Sequence, residues 1–167
     1  MTAPAPTAAP ARRPELRDLL PYPPGKPESQ VRRELGLERI VKLASNENPL
    51  GAGPRARAAL ADLALGRDAH RYLDLHDLRS ALAAHAGVAP DRILLGNGSD
   101  ELVVLLALTF VRSGGEIVTS RHEFVRYRMA ATMMGAATRE VPLRGWAHDV
   151  EALAAAVGPD TGALFVA

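Results

Sequence analysis

Apolar residues recur along this chain in short blocks whose spacing switches between that of amphipathic helices and that of buried strands. Positions 75, 78, 82, 83 and 86 share one helical face, so Asp74–Ala86 is expected to be a helix stopped by Gly87. Leu102–Val111 is apolar almost throughout and predicts a buried helix from Ser99 to Val111. Pro54 opens a helix to about Leu65, and Ser29 caps a short one ending at Leu35 before Gly36. Glu123–Met134, ended by Gly135, and Asp149–Val157 complete the helical set. Short apolar runs predict strands at Ile40–Leu43, Arg92–Leu95, Glu116–Thr119, Thr138–Val141 and Ala163–Ala167. Strands alternating with helices of about ten residues imply an α/β fold with a mainly parallel sheet covered on both faces.

The two ends of the chain add organisation. Met1–Pro14 is rich in Ala, Pro and Thr and reads as a disordered tail. Glu15–Leu20 reads as a short helical or irregular segment, followed by an extended proline-rich path through Pro27. At the other end the apolar run Ala163–Ala167 has no polar tail or cap. In open α/β sheets ligands sit just beyond the carboxyl ends of strands. The chain is therefore expected to be the N-terminal portion of a longer protein.

Composition mainly excludes. At 167 residues, 47% hydrophobic and 23% charged, the chain is that of a globular domain with a real core. A net charge of +1, with Arg12-Arg13 and Arg32-Arg33 as isolated pairs, gives no basic patch for nucleic acid. The absence of cysteine rules out disulfides, thiolate metal sites and cysteine nucleophiles. The five histidines show no ligand spacing, so no metal site is expected. Leu102–Val111 is about half the length that spans a bilayer, and Met1–Pro14 has no hydrophobic core segment of the signal-peptide kind. These absences favour a cytoplasmic protein without membrane contact.

The most informative stretch is Ile93-Leu94-Leu95-Gly96-Asn97-Gly98-Ser99-Asp100-Glu101. It reads as a strand, a glycine turn and the acidic first turn of a helix, where unpaired N–H groups and the helix dipole suit a phosphate. The dipole alone contributes about 0.3–1 kcal/mol for an exposed charge, so several N–H donors must share the task. An ordinary, well-capped βα turn fits the same spacing. A dinucleotide fingerprint would need glycine where Glu101 stands, and a Walker-type loop would need Gly-Lys-Ser or Gly-Lys-Thr after the strand.

Tyr22-x-x-Gly25-Lys26, Lys42-Leu43-Ala44-Ser45-Asn46-Glu47-Asn48-Pro49-Leu50-Gly51, His70-Arg71-Tyr72 and Gly96–Glu101 occur in one order. In that order, over about residues 15 to 167, the chain closely resembles the N-terminal part of the histidinol-phosphate aminotransferases, pyridoxal-phosphate enzymes of fold type I. The resemblance implies an incomplete large domain at 46–167, preceded by an arm at 15–45 that contributes to a small domain and a dimer contact. It implies that Gly98, Ser99 and Asp100 hold the phosphate of pyridoxal 5'-phosphate, chiefly through the N–H groups of Ser99 and Asp100. Phe124 matches an aromatic that stacks on the pyridine ring, and it fits equally as a core residue of its helix. Tyr72 matches a tyrosine that reaches the cofactor phosphate of a partner subunit in a homodimer. The family pattern has proline after that tyrosine, where this chain has Leu73. Tyr22, Asn46 and Asn48 match segments over the substrate side, although asparagines in such loops commonly satisfy their own turn.

The family's Schiff-base lysine, its ring-contacting asparagine and aspartate, and its substrate-carboxylate arginine come later than Ala167. The only lysines here are Lys26 and Lys42, upstream in the arm, so no catalytic residue is expected in these residues and the stretch alone is expected to be inactive. The parent activity the resemblance implies is amino transfer between glutamate and imidazole-acetol phosphate in histidine biosynthesis. An aromatic amino-acid aminotransferase or a phosphothreonine decarboxylase of the same fold, or a short non-catalytic phosphate-binding protein, are the alternatives.

Overall fold

The computed structural model describes residues 13–17, 19–22, 24–43, 45–66, 70–72 and 74–167. The expected disordered tail lies outside the described residues except for Arg13 and Pro14. The chain divides into two compact units, one made of the N-terminal segment through Tyr22 together with Leu94–Ala167, the other of Pro23–Ile93.

The second unit is helical: α1 Glu28–Leu35, α2 Pro54–Leu65 and α3 His76–Ala86, with a 3-10 turn at Pro90–Arg92. Both α1 and α3 end on left-handed glycines, Gly36 (φ 64°) and Gly87 (φ 68°), where only the missing Cβ makes the conformation cheap. The helix α1 starts after Pro27 rather than at a Ser29 cap, since Pro27 already holds the extended entry backbone. Ala83 is the one buried apolar residue of this unit among the described residues.

The first unit contains α4 Gly98–Phe110, β1 Glu116–Ser120, α5 Val125–Met134, β2 Ala137–Val141, α6 Val150–Ala156 and β3 Thr161–Phe165. Its sheet is parallel in the order β2-β1-β3, running in register from Glu116↔Ala137 to Ser120↔Val141 on one side of β1. On the other side the register slips after Glu116↔Thr161, so that Ile117 faces Ala163 and Gly162 is bulged out. A Cβ at Gly162 would lie 2.5 Å from the carbonyl oxygen of Phe110, so the bulge is where β3 and the end of α4 meet backbone to backbone.

All five residues of β1 are buried. On one face Ile117 packs with Val103, Ala107 and Val111 of α4 and its exit, and with Tyr127, Ala130 and Ala131 of α5. On the other face Val118 packs with Val141 and Leu153 of α6. The expectation of a parallel sheet covered on both faces is met.

Two expected strands are absent. Residues 40–43 and 93–96 are outside any ladder, with Val41, Leu43 and Leu94 exposed. Ile93 is extended (φ −108°, ψ 121°), but a strand also needs a paired neighbour, and none faces it among the described residues. Within α5 the first helical residue is Val125, because Glu123 and Phe124 form the extended entry.

At the start of β1, Glu116 accepts from the Thr161 hydroxyl (2.8 Å) and from Arg139 Nε (2.9 Å), joining all three strands. These donors, the Thr161 hydroxyl foremost, hold the Glu116 carboxyl below its ordinary value. A carboxyl lowered in the fold binds fewer protons there than in the unfolded chain, so its contribution is present at neutral pH and disappears on acidification. Replacing Glu116 by Gln is therefore expected to lower the Tm at pH 7 and to flatten its fall between neutral and acid pH in a melting series. Leu153→Ala empties a site that is 1% exposed and is expected to cost about 2–5 kcal/mol in denaturant unfolding.

Candidate functional site

The glycine turn before α4 is closed from within. The Asn97 N–H donates to Glu101 Oε2 at 2.6 Å, and the Gly98 N–H donates to the Gly96 carbonyl at 2.8 Å. Glu101 thus reaches back across the first turn as a capping-box acid does. Its carboxylate lies 2.9 Å from where a Cβ on Gly96 would stand, so the fold-back needs glycine there. Gly98 is left-handed (φ 72°), and a Cβ there would meet nothing within 4 Å, leaving space open above the turn. As first-turn residues, Ser99 and Asp100 have no carbonyl one turn back in the helix to accept from their N–H groups. The apolar body of α4, buried through Val103 and Ala107, fixes where those donors point. The arrangement fits a phosphate: two or more backbone donors, the positive end of a thirteen-residue helix, and room for an anion.

A carboxylate in that first turn would repel a phosphate, and Arg126 answers it. Arg126 Nε lies 3.2 Å from Asp100 Oδ2. The nitrogen is buried and the angle is not that of a hydrogen bond, so the contact is one of charge. Arg126 stands in the first turn of α5, and the pair ties the N-termini of α4 and α5 into one corner.

Phe124 sits at the entry of α5, on the same corner as Arg126. Its ring meets Tyr127 edge-on (centroids 5.9 Å, 90°), and Tyr127 stacks on Phe165 of β3 (4.4 Å, 6°). Tyr127 belongs to the core, and burial, with Glu123 nearby, pushes its hydroxyl up. Phe124 remains 39% exposed, so it is anchored by an edge contact and is not swallowed by the core. The residue two before it, His122, is left-handed (φ 68°), a conformation that costs a non-glycine residue of order 1–3 kcal/mol unless its surroundings hold it.

The remaining expected site residues are spread differently. Tyr22 is half exposed at the end of the N-terminal segment. In the second unit, Asn46 takes a left-handed turn (φ 48°) directly after left-handed Ser45 (φ 75°). The Asn48 side chain accepts from the Leu50 N–H and donates to the Gly51 carbonyl, each at 3.0 Å, so both ends of its amide serve its own loop. Tyr72 is fully exposed. The structure thus joins Gly98, Ser99, Asp100 and Phe124 in one corner of the first unit, while Asn46, Asn48 and Tyr72 belong to the second. Arg126, Tyr127 and His148 escaped the sequence reading. Arg126 and Tyr127 follow Phe124 closely enough to have been caught by helical spacing, but His148 carries no local signal.

The aminotransferase class I and II family model matches residues 38–167. The chain belongs to that family. It is 42% identical over 161 residues to histidinol-phosphate aminotransferase from Moorella thermoacetica, covering 94% of this chain and 41% of that protein. Histidinol-phosphate aminotransferase 2 from Ralstonia nicotianae is 44% identical over 154 residues, covering 91% and 41%. A solved structure of histidinol-phosphate aminotransferase from Sinorhizobium meliloti in complex with pyridoxal-5'-phosphate matches with TM-score 0.77 and 29% identity, covering 92% of this chain and 41% of that one. The motif resemblance and the fold expectation are borne out, and the cofactor expectation agrees with the family and with that complex. The chain spans about two fifths of the length of the relatives it matches.

Because Gly98 is left-handed with free space around it, Gly98→Ala is expected to cost about 1–2 kcal/mol of stability through backbone strain alone. The check is denaturant unfolding, with an unchanged m-value.

Proposed function

We propose that this chain forms the N-terminal part of a pyridoxal-phosphate aminotransferase that moves an amino group between glutamate and imidazole-acetol phosphate, in histidine biosynthesis. The observation that carries the reading is the α4 N-terminus: the Ser99 and Asp100 N–H groups stand open, Arg126 offsets the nearby carboxylate, and Phe124 stands at the adjoining corner. Relatives that are 42% identical to the chain over 161 residues and 44% identical over 154, and that bear the histidinol-phosphate aminotransferase name, support the choice of substrate.

In this reading Ser99 and Asp100 hold the cofactor phosphate through their main chain, and Phe124 lies against the cofactor ring. Pyridoxal 5'-phosphate, when bound, supplies the electron sink for amino-group chemistry. The residues of this chain bind and orient. No lysine here is suited to the covalent step: Lys26 pairs with Glu34 and Lys42 with Glu47, each at 2.5 Å. Tyr22, Asn46 and Asn48 serve the substrate side, Asn48 chiefly by fixing its loop. Tyr72 stands fully exposed, as a residue reaching a partner subunit's site in a homodimer requires. The arm at 15–45 joins the small domain and dimer contact, and the protein is cytoplasmic. No helix among the described residues is long and apolar enough to cross a membrane.

Ser99→Pro removes one N–H donor at a helix position where proline is tolerated. In the complete polypeptide the gene encodes, it is expected to weaken pyridoxal 5'-phosphate binding at least tenfold by absorbance titration, with little change in apo Tm. Unchanged affinity would refute the cradle.

A further inference from the structure

At the carboxyl end of β1, two polar side chains and one main-chain oxygen that take no part in the phosphate cradle converge on one imidazole. Ser120, 1% exposed, places its Oγ 2.9 Å from His148 Nδ1. Glu123, whose side chain is 8% exposed, places Oε1 3.3 Å from the same nitrogen and has no hydrogen-bond partner at that oxygen. On the other side of the ring, His148 Nε2 lies 2.7 Å from the main-chain oxygen of Ala167, just past β3. A serine, a histidine and an acid invite comparison with a hydrolytic triad, and the geometry rejects it. A triad sets the hydroxyl and the carboxylate on opposite ring nitrogens, whereas here both crowd Nδ1 and the serine is sealed from solvent.

The cluster brackets the turn that delivers Phe124. That turn leaves β1 at Ser120, passes through left-handed His122, and enters α5 at Phe124. Strained backbone persists where surrounding contacts over-determine it. One such contact is the Arg121 N–H to the Val141 carbonyl at 2.8 Å. The side-chain contacts on either side of His122 come from His148, through Ser120 before it and Glu123 after it. His148 itself is placed by the next residue, Asp149, which caps α6 by accepting from the Ala152 N–H at 3.0 Å. Since the Ala167 carbonyl only accepts, Nε2 donates to it, while Nδ1 shares a hydrogen bond with the Ser120 hydroxyl and lies beside the Glu123 carboxylate, so one ring joins β1, the end of β3 and the turn.

We propose that His148 is a positioning residue: it clamps the turn at 121–124 through Ser120 and Glu123 and so sets the orientation of Phe124 at the cofactor ring. The clamp deepens the cofactor reading and rests on it for the role of Phe124, but its structural half stands independently. Its polar contacts are with Ser120, Glu123 and Ala167, so His148 acts on Phe124 through the backbone of the turn.

The test compares wild type with His148→Phe, His148→Asn and Glu123→Gln in the complete polypeptide the gene encodes. Hydrogen exchange of the apo protein is followed at the amides of 121–125, and bound pyridoxal 5'-phosphate is read by visible circular dichroism. His148→Phe, which removes both ring nitrogens, is expected to speed exchange at 121–125 at least tenfold, leave α4 unchanged, and reduce or invert the cofactor dichroism. His148→Asn, which keeps a hydrogen-bonding amide near the Nδ1 position, is expected to recover much of both. Glu123→Gln, which keeps shape and removes charge, is expected to speed exchange to a smaller extent and serves if His148→Phe does not fold. Exchange within twofold of wild type in the folded variants would overturn the clamp. Faster exchange with unaltered dichroism would overturn the positioning role and leave a purely structural contact. Failure of the wild type to bind pyridoxal 5'-phosphate would overturn the cofactor reading, while exchange alone would still decide the clamp.

Discussion

The sheet-bearing unit depends on the complete burial of one strand. Every residue of β1, from Glu116 to Ser120, is buried, with α4 and α5 on one face and α6 on the other. A strand closed on both faces and paired on both edges has no freedom of register, because a one-residue slip would turn Ile117 and Val118 to the wrong faces. The carboxyl end of β1 is therefore a fixed point, and the turn toward Phe124 starts from it. The cradle at α4 is fixed by the same core, through Val103 and Ala107 against Ile117.

From that frame the site assembles as a corner where two helices begin. Helix N-termini leave donors unpaired, and a corner with two of them is strongly biased toward an anion. Acidic residues are common in first turns, and here they are managed separately: Glu101 folds back onto the Asn97 N–H, and Asp100 is balanced by Arg126. What remains outward is the pair of N–H groups at Ser99 and Asp100. An aromatic edge contact, Phe124 on Tyr127, keeps a ring near that corner without burying it.

Much of this was legible where the signal is local. Pro54 placed α2 as observed, and Gly36, Gly87 and Gly135 each end a helix in the left-handed conformation that favours glycine. The glycine turn before α4 announced the helix start that follows it. The misreadings share a cause. Ile40–Leu43 and Arg92–Leu95 carry strand-like composition, but a ladder is a property of two segments, and without one Val41, Leu43 and Leu94 stand exposed. His148 was passed over for the same reason: its partners Ser120, Glu123 and Ala167 come from three other stretches, and no spacing rule links them. Asn48 reads as a ligand by motif, yet its amide is occupied at both ends within its own turn.

The most direct test of the central claim is a crystal structure of the complete polypeptide grown with pyridoxal 5'-phosphate. The account predicts the cofactor phosphate within hydrogen-bond distance of the Ser99 and Asp100 N–H groups, with the Phe124 ring against the pyridine. A phosphate bound elsewhere, with that helix terminus facing only solvent, would contradict it.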